Sequence, residues 1–307
     1  MDWPKSRAEF EELILAVDKD LRRGQVPIPW RPLEALRILS SSLHAEFLMD
    51  DSADSPGRDS FEGQDFAGHV LEWFRARYGP RLLLDFGPGQ VLLVIRGDPW
   101  TASMPKIFGR VHLCLSPDSG PADPAQRGKL PSYNVLDSVR GLPSAMREDL
   151  SPEELRYIWT AVTRGLRVLT SLAALSHLGL VAAARRDLDA LVCHCMAQPP
   201  HFGQARWSAL QAAEKVIKAF MSERGKTFPR THDLGVLWTH ASAVGLPLVD
   251  AKILALIQCP AAVRYSDQGT TIASVGAAQD AALEVCGIVT GALLPGGTAL
   301  AYSQPSC

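Results

Sequence analysis

Cysteine is scarce in this chain and forms no framework. The six cysteines, at positions 114, 193, 195, 259, 286 and 307, fall at irregular spacing, and a chain of 307 residues can build a core without disulfide staples. The expectation is of reduced thiols in a cytoplasmic protein. Basic charge is not in excess either. Lys and Arg number 31 against 33 Asp and Glu, a net charge of -2, which excludes a generally basic glove for nucleic acid but leaves room for a local basic patch. Met1 to Phe10 carries Asp2, Lys5, Arg7 and Glu9 and no apolar stretch, so neither a secretory nor a transit segment is expected. Val168 to Ala184 has no formal charge, but it contains His177 and Gly179 and sits between Arg167 and Arg185. It falls short of the roughly 20 residues that span hydrocarbon. A buried helical hairpin is expected there, and no membrane association.

Several enzyme signatures are also missing. There is no Gly-x-Ser-x-Gly elbow for a serine nucleophile. Gly87-Pro88-Gly89 lacks the further glycine of a dinucleotide loop, and no Gly-Lys-Ser or Gly-Lys-Thr accompanies it, so it reads as a turn. Cys193-His194-Cys195 has zinc-ligand chemistry, yet successive helical residues point about 100° apart and no second pair lies at chelating spacing. No metal and no cofactor is expected.

What the sequence does contain is periodicity. Apolar residues make up 47% and charged residues 21%, the balance of a globular protein whose length suggests two domains. Phe10, Leu13, Ile14 and Val17 recur at helical spacing, as do Leu33, Leu36, Leu39 and Leu43, and then Phe66, Val70, Trp73 and Phe74. Asp50 to Gly63 reads as a loop. The runs 81–86, 90–96 and 107–115 are short, apolar and punctuated by Gly and Pro, the pattern of a three-stranded antiparallel meander. With the preceding helices as its cover, it gives an α+β N-terminal domain over 1–115. Ser116 to Pro131, with four prolines, reads as a linker. Beyond it everything is expected to be helical: a hairpin over 132–198, a bundle over 199–295 and a flexible tail over 296–307. Ser151-Pro152-Glu153-Glu154 is a capping box with Pro at the first helical position. The fold class is thus α+β, mostly helical, with a C-terminal up-and-down bundle.

The bundle carries the most informative residues. On a helix from about Phe202 to Arg224, Leu210, Ala213, Ile217 and Phe220 share one face, while Gln211, Glu214, Lys215 and Lys218 fall largely away from it as a solvated side. Thr231-His232-Asp233-Leu234 follows after a Pro-marked turn, and Arg264-Tyr265 comes later. In order and spacing, Ala213-Glu214-Lys215, Lys218-Ala219, Thr231-His232-Asp233-Leu234 and Arg264-Tyr265 resemble the HEPN family, over about Gln204 to Leu294.

That resemblance implies a bundle of four or five helices that dimerises. It implies RNA or nucleotide binding through Lys215, Lys218, Arg230, His232, Asp233, Arg264 and Tyr265, and a bacterial stress, toxin-antitoxin or defence setting. The ribonucleases of the family carry Arg, four to six residues and then His in a late helix; here the late helix, about Ser274 to Leu294, contains neither residue. Arg37 and His44 have that spacing on the second N-terminal helix, a chance-level match. Relatives often accompany a nucleotidyltransferase, but the chain has no Gly-Ser pair, and Asp85 and Asp98 beside the strands form no Asp-x-Asp. The expected function is a non-nucleolytic module for dimerisation and for RNA or nucleotide binding, with no catalytic residue. A metal-independent ribonuclease using His232 with Arg230 or Arg264, or a protein-interaction scaffold, are the alternatives. The small residues Ala277, Ala278, Ala281, Ala282 and Gly287 of the late helix suggest the homodimer face.

Overall fold

The computed structural model describes residues 2–47, 60–82, 87–117, 131–265 and 269–294. The chain divides into two compact units, Met1–Asp85 and Phe86–Cys307. It is an α+β fold in which helices dominate and sheet is sparse.

Among its described residues the first unit has three α-helices, α1 (Arg7–Arg23), α2 (Arg31–Leu43) and α3 (Gly63–Tyr78). Ser6 starts α1 by accepting a hydrogen bond from the Glu9 amide at 3.3 Å. The core is aromatic: Phe10 stacks on Phe61 at 5.4 Å and meets Phe66 edge-on at 5.7 Å, with Ile14, Leu39, Val70 and Phe74 closing around them. The expected loop over 50–63 lies outside the described residues except at its end.

The second unit opens with a hairpin of β1 (Gln90–Ile95) and β2 (Asp98–Ser103). Arg96 and Gly97 both take positive φ, 55° and 87°, the pairing of a tight two-residue turn. The short β3 (His112–Cys114) and β4 (Ser132–Asn134) pair in parallel elsewhere. Helices follow: α4 (Ser144–Glu148), α5 (Pro152–Ala174), α6 (Gly179–Met196), α7 (Phe202–Glu223), α8 (Leu234–Ser242), α9 (Ala251–Ile257) and α10 (Ile272–Leu293). The capping box of Ser151 and Glu154 forms as the sequence indicates. Buried residues run around most of α7, the mark of a central helix, and α6, α8, α9 and α10 all pack on it.

Two expectations differ from this arrangement. No antiparallel meander of three strands forms among the described residues. Gly79–Leu82 is a 3-10 turn and 83–86 lies outside the description, while the third run contributes only β3, which pairs with β4. Nor does the sheet end an N-terminal domain at 115. β1 packs on α5, α6 and α10 and shares their core, so the hairpin belongs to the second unit. Of the expected linker over 116–131, residues 118–130 lie outside the described residues, as does the tail over 296–307.

The packing of β1 explains where the hairpin sits. An edge strand leaves alternate amides without a strand partner, and here each is taken by a side chain from a helix. The amide of Gln90 donates to Asp189 of α6 at 3.3 Å, that of Leu92 to Gln279 of α10 at 2.7 Å, and that of Val94 to the Tyr157 hydroxyl of α5 at 3.0 Å. Gln279 also donates its Nε2 to the Leu92 carbonyl at 2.9 Å, so a buried amide side chain replaces one rung of a missing strand. Glycines admit the strand. A Cβ on Gly165 of α5 would stand 2.7 Å from Val91 Cγ1, and one on Gly276 of α10 would stand 3.3 Å from Val94 Cγ2.

α10 is long and apolar enough to cross a membrane, but half of its most apolar window is buried inside the unit, the condition of a core helix. Its small residues are used the same way, since Ala278, Ala281 and Ala282 are buried within the chain and a Cβ on Gly287 would touch Val168 of α5 at 3.4 Å. Those residues are accounted for by packing inside one chain. The span 168–184 comprises the end of α5, the turn at 175–178 and the start of α6, the helical hairpin expected there.

Replacing Gln279 by Leu removes both bonds to Leu92 and leaves a buried N–H and C=O unpaired. The expected loss is about 2–3 kcal/mol, read as a lowered urea midpoint.

Candidate functional site

Trp207, Gln211, Glu214 and Lys218 recur at helical spacing and form one stripe along α7. The stripe is not the solvated face that periodicity suggests. Glu214 is only 6% exposed, because the turn after Phe228 and the start of α8 close over it. Its carboxylate accepts from Lys218 Nζ at 2.5 Å, from His232 Nδ1 at 2.7 Å and from Gln211 Nε2 at 3.3 Å, which satisfies a buried charge. A carboxylate only accepts, so Nδ1 of His232 is the donor in that contact. The His232 side chain is 59% exposed.

A line of rings and cations continues from there. The His232 ring meets Trp207 edge-on at 5.3 Å. The Arg264 guanidinium lies 4.6 Å from the Trp207 centroid and 5.2 Å from that of Tyr265, which is 80% exposed. At the other end Lys218 Nζ lies 5.4 Å from the Phe228 ring and donates to the Thr231 carbonyl at 3.4 Å. The Arg264 and Lys218 contacts with these rings place a cation over an aromatic face, an attraction of roughly 0.5–1 kcal/mol at exposed positions.

Gln258, just past α9, holds this line in register. Its Oε1 accepts from the Leu234 amide at 3.1 Å and its Nε2 donates to the His232 carbonyl at 3.2 Å. Arg206 ties the Gln258 carbonyl to that of Ser274, at 3.3 and 2.9 Å, and Gln204 Nε2 donates to the Arg264 carbonyl at 2.7 Å.

Of the seven residues expected from sequence, Lys218, His232, Arg264 and Tyr265 gather on this line. Lys215 turns to α6 and pairs with Asp187 at 2.5 Å; burial pushes the Asp187 carboxyl above its usual range despite that lysine. Asp233 caps α8, its Oδ1 accepting from the Val236 amide at 3.0 Å. Arg230 is exposed and has no hydrogen-bond or ion-pair partner among the described residues. Trp207 and Gln258 were not anticipated, although the spacing of Trp207 from Gln211 and Glu214 already puts it on the charged stripe.

Other candidates do not assemble. Arg37 pairs with Glu34 at 2.7 Å, and His44 ends α2 in the left-handed region with φ 53°. Cys195 is buried, which pushes its thiol up to about 12, while Cys193 is exposed. Among the described residues no group of three His, Cys, Asp or Glu side chains is placed to hold a metal ion.

Residues 201–290 match the model of the HEPN domain, a span that runs from just before α7 into α10 and contains the whole line from Trp207 to Arg264. No curated protein and no solved structure matches the chain.

Replacing Lys218 by Met leaves Glu214 buried without its cation. A loss of about 3 kcal/mol is expected in chemical denaturation, whereas Arg230→Ala stays within about 0.5 kcal/mol of the parent.

Proposed function

We propose that the HEPN segment binds single-stranded RNA or a nucleotide along the line of Phe228, Lys218, His232, Trp207, Arg264 and Tyr265, and does not cleave it. The observation that carries this reading is the Arg264 guanidinium set between Trp207 and the exposed Tyr265. Single-stranded nucleic acid is held by aromatic faces that take bases and by cations that take phosphates, and both occur here within contact distance. The HEPN match supports a nucleotide- or RNA-related role at the level of the family. The non-nucleolytic part rests on α10, which contains neither Arg nor His. Homodimerisation, a protein partner, a cytoplasmic location and a bacterial defence or toxin-antitoxin setting belong to the same proposal.

One observation favours a second reading, a metal-independent ribonuclease. His232 is exposed and its Nδ1 lies 2.7 Å from the buried Glu214 carboxylate, which orients the ring as a general base requires. Arg264, in contact with the same indole, would neutralise a phosphate.

Fluorescence anisotropy with a labelled single-stranded RNA separates the readings. Under the preferred one, affinity falls as salt rises. Arg264→Ala lowers it about tenfold, on the scale of one stacked cation and its phosphate contact, without a change in the circular dichroism spectrum. The RNA stays intact. Cleavage that disappears in His232→Ala establishes the enzyme instead, and neither binding nor cleavage leaves a protein-interaction scaffold.

A further inference from the structure

The N-terminal unit contains a charge arrangement that its own fold does not balance. Asp18 of α1 is fully buried, and three arginines from three helices converge on it. Arg22, one turn along α1, donates through Nε at 2.9 Å and also through Nη2. The Tyr78 hydroxyl lies 2.8 Å from both carboxylate oxygens and itself accepts from Arg31 Nη1 at 2.8 Å. Arg31 stands 3.7 Å and Arg77 3.6 Å from the carboxylate.

One negative charge therefore faces three positive ones. Among the described residues no second carboxylate pairs with Arg22, Arg31 or Arg77, so a local charge of +2 remains. This happens in a segment that is otherwise acidic. Helix-end electrostatics do not explain it. Arg22 and Arg77 lie in the last turns of their helices, where a cation is favoured, but Arg31 is the first residue of α2, where it is disfavoured.

The guanidiniums are also held in place. Arg77 lies 5.0 Å from the Trp73 ring and Arg31 5.3 Å from the Tyr78 ring, and Arg31 Nε donates to the Val26 carbonyl at 2.9 Å. Fixed guanidinium planes are the donors that suit the tetrahedral, doubly charged oxygens of a phosphate. The Arg22 and Arg77 side chains are 46% and 41% exposed and that of Arg31 12%.

We infer that Arg22, Arg31 and Arg77, organised by the buried Asp18, form a receptor for a phosphate group. A free phosphorylated small molecule and the backbone of a nucleic acid offer the same chemistry, and two probes distinguish them. Calorimetric titration of the full chain with inorganic pyrophosphate, and separately with a short single-stranded RNA, reads the site directly. Pyrophosphate is expected to bind and to raise the melting temperature, since it engages only the folded form. Arg77→Gln, which removes no hydrogen bond to Asp18, is expected to weaken binding about tenfold and to abolish the thermal shift while melting near the parent temperature. Arg77→Lys, which keeps the charge and loses the fork, should fall between the two. Arg75→Gln, an exposed neighbour, should leave pyrophosphate affinity unchanged. If only the RNA responds to Arg77→Gln, the phosphate comes from nucleic acid and the receptor stands. The inference fails if neither probe binds, if binding survives Arg77→Gln, or if Arg264→Ala alone removes it. This test is independent of the outcome at the HEPN segment.

Discussion

The second unit depends on how one short strand finds partners for its unpaired edge. A two-stranded hairpin is at best marginal by itself, and among the described residues β1 has no strand neighbour beyond β2. Asp189, Gln279 and Tyr157 supply that neighbour in pieces, one from each of three helices. The same contacts fix α5, α6 and α10 relative to one another, because each helix must bring a given side chain to a given rung. Gly165 and Gly276 are part of this constraint, since their missing Cβ atoms leave the space that Val91 and Val94 occupy.

Much of this was legible where the physics is local. The cap at Ser151, the extent of α7 and the HEPN-like order of motifs were all readable from the sequence pattern itself. The cover of β1 was not legible, because an apolar strand carries no mark of which helices bury it. Gln279 illustrates the point. In sequence it is one polar residue among alanines, and only the fold turns it into a strand mimic.

Glu214 was misread for a related reason. Charged residues on one side of a helix look solvated when the elements that pack there lie far along the chain, and the His232 turn is separated from Glu214 by more than four helical turns' worth of sequence. Trp207 could have corrected the reading. An aromatic residue on the stripe of Gln211, Glu214 and Lys218 marks that side as an interface between elements rather than a free surface. In α10 the small residues Ala278, Ala281, Ala282 and Gly287 let helices of the same chain approach closely.

The rung that Gln279 completes also bears on modularity. Gln279 lies inside the segment that matches the HEPN domain and Leu92 lies outside it. The same boundary separates Gly276 from Val94, Gly287 from Val168 and Lys215 from Asp187. Cut out at its borders, the segment would keep every residue of the line from Phe228 to Tyr265 but would bare a buried amide, two glycine notches and an unpaired lysine. It is recognisable as a unit of sequence without being a transplantable unit of structure, and its borders in evolution need not be its borders in folding.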